Sequence, residues 1–303
     1  MKKFTAILLC VALLILSGCT AVPPKKNGKV IAVSFYPVYI FTLNLLNGIE
    51  GVEVKCMAEQ SVGCLHDYSV TAKDAKLVSD CEAFVINGAG MESFVEDLYS
   101  TVENLRVIDS SEGIELLCSH HHHEEESDGH SHNHAENSHI WMSVNNAMKQ
   151  VENISKGLTD VFPQYKAEIK ENETLYLKRL GELKAEIQST KAQVQGQSVV
   201  SFHDAYAYLA EDLGFYVSAT VESDDGGEPS AKKLAQLSDE ILENNIKSLF
   251  IEPQYEGNAA NILVNETGAE IYVLNPVING EKSLTAYEDV MRQNIQTILK
   301  AVK

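Results

Sequence analysis

Residues 160–194 read DVFPQYKAEIKENETLYLKRLGELKAEIQSTKAQV, and this stretch decides the architecture. Tyr165, Ile169, Tyr176, Leu180, Leu183, Ile187 and Val194 recur at steps of three, four or seven, which draws one apolar stripe along a helix. Asp160 is placed to cap that helix, and Pro163 suits its first turn. At 1.5 Å per residue, about 30 residues make a rod of roughly 45 Å, longer than one small lobe requires. The stretch is therefore read as a stiff strut within a bridging helical segment, residues 144–195, with a lobe on each side.

The sequence before the strut alternates two kinds of segment. Lys29–Phe35, Val52–Met57, Cys81–Ile86 and Leu105–Ile108 read as strands, with helix-like stretches at 37–48, 71–79 and 91–102 between them. The same rhythm follows the strut. Gln197–Phe202, Phe215–Val221, Ser248–Glu252 and Glu270–Leu274 read as strands, and 204–213, 230–245, 256–268 and 283–302 as helices. Strands alternating with helices predict mainly parallel sheets with crossover helices. The expected fold is α/β, with an N-terminal lobe at 29–143 and a C-terminal lobe at 196–303. The halves share a rhythm but no clear sequence repeat.

The N-terminus reads as an export signal. Lys2 and Lys3 precede an apolar run from Ala6 to Leu16 that is too short to span a bilayer, which takes about 20 residues. It ends in Leu16-Ser17-Gly18-Cys19, a tetrapeptide resembling the bacterial lipobox. The expectation is a signal peptide at 1–18, a lipid on Cys19 that holds the protein at the membrane, and a tether at 19–28. The formal net charge of -19 opposes any nucleic-acid function. Four further cysteines, Cys56, Cys64, Cys81 and Cys118, all lie before residue 120. In an exported chain they allow two disulfides in three connectivities, Cys56 with Cys64 being one possible pair. Their spacing lacks the tight CxxC pairs of structural zinc sites.

The chain holds ten histidines. Seven of them, His120, His121, His122, His123, His130, His132 and His134, fall in residues 119–138, SHHHHEEESDGHSHNHAENS. This stretch has no apolar periodicity and reads as a loop. Either it is a solvated insertion or it collects or senses a metal ion at low affinity. The other three, His66, His139 and His203, are far apart in sequence. His66 follows the second strand after a short loop, and His203 directly follows the strand ending at Phe202. In alternating α/β lobes, ligands bind beyond the carboxyl ends of strands. Three neutral imidazoles with a fourth ligand suit zinc, whereas manganese favours more oxygen.

Local motifs sharpen this reading. His66-Asp67-Tyr68-Ser69-Val70-Thr71 with Lys73-Asp74, Asn87-Gly88-Ala89-Gly90-Met91-Glu92, Ser138-His139-Ile140-Trp141-Met142-Ser143, Ser201-Phe202-His203-Asp204-Ala205-Tyr206-Ala207-Tyr208 and Glu252-Pro253-Gln254 stand in that order. Together they resemble the zinc-binding ZnuA/AdcA-type solute-binding lipoproteins of metal ABC transporters. The resemblance runs from about residue 29 to the C-terminus. It implies two lobes joined by a long rigid helix, a Zn2+ site between them formed by His66, His139 and His203, and delivery to an ABC transporter permease. It also implies a monomer that works at the extracytoplasmic face of the bacterial membrane without enzymatic turnover. Manganese-selective relatives carry a carboxylate at the third position, so His203 favours zinc. The family commonly has an aspartate-proline pair after the last strand. Here the pair is Asn275-Pro276, so the fourth position falls to Asn275 or to water.

Three rival readings remain at this level: capture of manganese or another divalent ion, a surface adhesin, and a zinc hydrolase with Glu222, Glu252 or Asp225 as base. No HExxH motif or nucleophile elbow supports the last. The acidic stretch from Glu222 to Pro229 resembles a structural loop of the family and is assigned no ligand.

Overall fold

The computed structural model describes residues 28–58, 68–118, 136–221, 229–255 and 257–303. Strands β1 (Lys29–Val33), β2 (Val52–Cys56), β3 (Ala83–Ile86) and β4 (Val107–Asp109) form one sheet in the order β2-β1-β3-β4. Strands β5 (Ser198–Ser201), β6 (Tyr216–Thr220), β7 (Ser248–Ile251) and β8 (Glu270–Val273) form a second, in the order β6-β5-β7-β8. Every pairing is parallel. The two sheets thus have the same topology, a likeness that the sequence shows only as a rhythm. Central strands such as β3, AFVI, are buried along their whole length, as expected where helices cover both faces of a parallel sheet.

In the first half, α1 (Tyr36–Leu45) follows β1, and α2 (Ala72–Asp80) opens with a capping box between Thr71 and Asp74. The helix expected over 91–102 is a 3-10 turn, Ser93–Val95, running into the short α3 (Glu96–Ser100). Gly88 permits the turn before it. Its φ is +80°, and a Cβ there would lie 2.0 Å from Asp109 Oδ1. In the second half, α6 (Ala207–Leu213), α7 (Ala231–Glu243), α8 (Ala259–Thr267) and α9 (Ala286–Ala301) surround the sheet.

Two helices join the halves, α4 (Val144–Val161) and α5 (Lys166–Val194). The apolar stripe of α5 is as expected, with Ile169, Tyr176, Leu180, Leu183, Ile187 and Val194 buried and Tyr165 only partly so. The cap is not. Asp160 lies in the last turn of α4, where its backbone carbonyl accepts from Arg106 (2.9 Å). Pro163 explains the difference. A proline disfavours helical backbone in the residue before it, and Phe162 (φ −126°, ψ 67°) leaves the helix there. The chain restarts through a 3-10 turn, Pro163–Tyr165, into α5.

One apolar core runs through both halves. It includes Ile31 and Val33 of the first sheet, Leu180 and Leu183 of α5, and Phe250 and Ile298 of the second half. Arg179 of α5 fastens the junction. Its Nε donates to Glu288 of α9 (2.9 Å), and its guanidinium also reaches the Leu284 carbonyl (2.9 Å) and the Asn44 side chain of α1. Glu288 is 2% exposed, so removing Arg179 would strand a buried charge, at a cost of about 3–5 kcal/mol. A large apolar interface with a buried ion pair opposes free hinge motion.

Candidate metal centre

Each sheet has a topological switch point between its first and third strands, because connections leave in opposite directions there. Clefts open outside the carboxyl ends of strands at such points. In the second sheet these strands are β5 and β7. His203 stands two residues beyond β5, and Glu252 immediately follows β7. Their side chains meet, with His203 Nδ1 against Glu252 Oε1. Both residues are 8% exposed. A carboxylate oxygen accepts, so Nδ1 carries the proton and Nε2 keeps its lone pair for a ligand. Gln254 donates to the other oxygen of Glu252. The Glu252-Pro253-Gln254 motif therefore orients His203.

His139 reaches the same place from the other lobe. It precedes a 3-10 turn, Ile140–Met142, at the entrance to α4, and is 6% exposed. Its ring lies edge-on to that of His203, with centroids 4.8 Å apart and planes at 88°. Its Nδ1 is 3.0 Å from Asn137 Oδ1. The preceding residue is held by the first lobe, since Asn87 Nδ2 donates to the Ser138 carbonyl (3.0 Å). Asn87 is positioned in turn by Gln150 of α4 (2.9 Å).

The switch point of the first sheet is filled by its own side chain. The Glu92 carboxylate accepts from Ser34 Oγ (2.7 Å) and from the backbone N–H groups of Asn87 (2.7 Å) and Gly88 (3.0 Å). Burial raises its pKa to about 7 despite these donors, which pull it down.

Asn275 follows β8 and is half-buried. Its Oδ1 accepts from Val277 N–H (2.8 Å), and its backbone N–H and carbonyl are both held by Asn294 (2.9 and 2.7 Å). Val277 has φ +60°, a left-handed conformation unusual for a β-branched residue. The side chain of Asn275 therefore supports a strained turn. Trp141 Nε1 donates to the Pro276 carbonyl (2.8 Å) in that turn, pinning the segment that carries His139 to the second lobe.

Several expected features lie outside the described residues: His66, Asp67, Cys64, the signal and lipid site with Cys19, the loop histidines His120, His121, His122, His123, His130, His132 and His134, and Glu222 and Asp225. Among the described residues, His139 and His203 are brought together, and no three His, Cys, Asp or Glu side chains form a metal-sized cluster. The end of the histidine-rich stretch is ordered. Glu136 bridges antiparallel to Cys118, and Asn137 and Ser138 are buried. Cys81 and Cys118 are free thiols, which removes the two-disulfide framework. Burial pushes the Cys81 thiol up to about 11, leaving it protonated and inert. The sequence reading missed the roles of Asn137 and Gln254. Their positions, two residues from a histidine and two from Glu252, were the only available signal.

Two parallel α/β lobes on a common core, with imidazoles from both meeting at their junction, define a two-lobed α/β protein with a candidate metal site between its halves. The family model described as zinc-uptake complex component A, periplasmic (ZnuA), matches residues 31–301, and the chain belongs to that family. The zinc-binding protein AdcA of Streptococcus pyogenes is 32% identical over 290 residues, covering 90% of this chain. The chain spans only 56% of that relative's length. The high-affinity zinc uptake system protein ZnuA of Bacillus subtilis is 28% identical, covering 90% of this chain and 88% of its own. The Zn(II)-bound ZnuA-like domain of Streptococcus pneumoniae AdcA superposes with a TM-score of 0.73 at 27% identity, covering 91% of this chain and 99% of that one.

Proposed function

We propose that this protein captures zinc outside the cytoplasm and passes it to the permease of an ABC transporter, held at the cell membrane by a lipid on Cys19. The observation that carries this reading is the meeting of His139 and His203, one from each lobe, both buried and each with Nδ1 engaged by an oxygen. With the proton on Nδ1, each of these buried rings carries its lone pair on Nε2, the atom a metal would take. We assign His66 as the third ligand, and the fourth position to the Asn275 side-chain oxygen or to water. An imidazole-rich, four-coordinate set suits zinc better than manganese. The names of the relatives favour the same ion, and a further relative is named as a zinc-binding lipoprotein.

Binding is favoured over hydrolysis for a specific reason. Glu252, a candidate base, is committed through one oxygen to His203 and through the other to Gln254. A base must reach the proton it removes, and this carboxylate is turned to orient a ligand instead. Metal titration of the soluble chain from residue 20 tests the proposal, with His66→Ala, His139→Ala and His203→Ala as variants and manganese as competitor. Each substitution is expected to abolish one tight zinc site, with zinc preferred. Tight binding that survives all three substitutions overturns the assignment.

A further inference from the structure

We infer that Asn137 is the positioning residue of this centre. One side chain sets the tautomer of His139 and ties it to the turn that carries His203. The inference rests on the reading of both histidines as metal ligands.

Asn137 is 1% exposed, and each of its polar groups has a partner. Its backbone N–H donates to the Leu117 carbonyl (2.8 Å), and its carbonyl accepts from Tyr208 Oη of α6 (2.6 Å). The side chain forks between the lobes. Oδ1 faces the His139 backbone N–H (2.9 Å) and ring Nδ1 (3.0 Å), while Nδ2 faces the Asp204 carbonyl (2.8 Å) and Oδ2 (2.9 Å). Asp204 is the residue after His203.

These partners fix what an amide alone leaves open, namely which arm is oxygen. A backbone N–H can only donate, so the arm facing His139 N is the oxygen. A backbone carbonyl can only accept, so the arm facing Asp204 O is the nitrogen. With Oδ1 as acceptor, His139 Nδ1 must hold the proton, which puts the ring's lone pair on Nε2. The two histidines are thus served differently. His203 is oriented by a carboxylate on its own lobe, and His139 by a neutral amide whose other arm grips the opposite lobe. Asn137 supplies both a chemical setting and a distance between ligands.

Partners that orient ligands typically govern metal affinity by about 10- to 100-fold. Three variants of the chain from residue 20 separate the outcomes: Asn137→Ala, Asn137→Asp and His139→Ala. Zinc affinity is measured by competition, and the His139 tautomer by nitrogen-15 NMR of the metal-free protein, a readout that needs no zinc. Asn137→Ala is expected to weaken zinc binding within that range and to lose the Nδ1-protonated signature. Asn137→Asp keeps an acceptor for His139 but sets a carboxylate against Asp204. It is expected to restore the tautomer and to recover affinity only in part. Zinc affinity within twofold of the parent in Asn137→Ala, with His139→Ala abolishing binding, overturns the inference and leaves the site assignment intact. An unchanged His139 tautomer in Asn137→Ala also overturns it, making the residue merely structural. Tight binding in His139→Ala overturns the site assignment and this inference with it.

Discussion

Glu252→Ala is the substitution that bears most directly on the proposal that this centre holds zinc. The carboxylate accepts from His203 Nδ1 at a place where both side chains are only 10% exposed. Two losses follow from its removal. A hydrogen bond with a charged partner contributes about 1.5–3 kcal/mol, and no bulk water stands ready to replace it. The ring is also freed to change tautomer, which places a proton on the nitrogen meant for the metal. The metal-free protein is also relieved of a buried carboxylate, which stabilises it relative to the bound state and adds to the loss. The net is set near the range for partners that orient metal ligands, about 10- to 100-fold in affinity, or about 1.4–2.8 kcal/mol. Glu252→Gln retains an acceptor without charge and belongs at the lower end, about tenfold. The assay is competition for zinc against a chromophoric chelator at a fixed pH near 7.5, with unfolding curves of the metal-free variants as a check on the fold. Zinc affinity within twofold of the parent in a folded Glu252→Ala protein refutes the reasoning.

Four further outcomes are expected. Asn275→Asp keeps the acceptor for Val277 and adds a negative charge, so zinc binding should tighten by about tenfold or more in the same assay. An unchanged affinity shows that this residue does not face the metal. The raised pKa of Glu92, about 7 against 4.5, means the folded state holds its proton more firmly than the unfolded chain. Its contribution is complete below about pH 4.5 and is lost as pH rises through about 7, a swing of about 3 kcal/mol. Denaturant unfolding should show that component in the parent and not in Glu92→Gln. Gly88→Ala meets both a φ of +80° and Asp109 Oδ1 at 2.0 Å, and should cost at least about 2 kcal/mol of stability by the same measurement. Deleting residues 120–134 should lower the zinc stoichiometry in equilibrium dialysis while sparing the tightest site, and loss of that site would contradict the ligand assignment.

The strand and helix rhythm was legible because it rests on apolar periodicity, which is local. The stripe on α5 is the clearest case: six of its seven positions are buried. The break at Phe162 was misplaced because Asp160 offers a good cap chemically, while the decisive effect is steric and comes from Pro163. The matching strand order of the two sheets showed in sequence only as a shared rhythm, since a parallel strand order depends on crossovers rather than on residue types. At the site, His139 and His203 were singled out by their surroundings and by the family motifs, and the fold brings their rings together. Asn137 was passed over because its contacts reach in opposite directions, to a residue two positions on and to one 67 positions away. Asn275 was weighed only as a ligand. Its bond to Val277 shows a structural duty, holding a left-handed turn that receives Trp141.

These features bear on selectivity through stiffness. A metal site that flexes can add oxygen ligands to suit a larger ion, and one that cannot flex rejects it. Here the two lobes share an apolar core, Arg179 joins α5 to Glu288 and to Asn44, and Trp141 is bonded across to Pro276. His139 and His203 lie 4.8 Å apart, ring centroid to ring centroid, and each is held through Nδ1 by a protein oxygen. Little ordering of these two ligands remains to oppose binding, which is the advantage of preorganisation. The same rigidity leaves little freedom to rebuild the pair around an ion that needs six oxygens. If His139 and His203 are the ligands proposed, discrimination between zinc and manganese would reside in how Asn137 and Glu252 hold the rings as much as in the rings themselves.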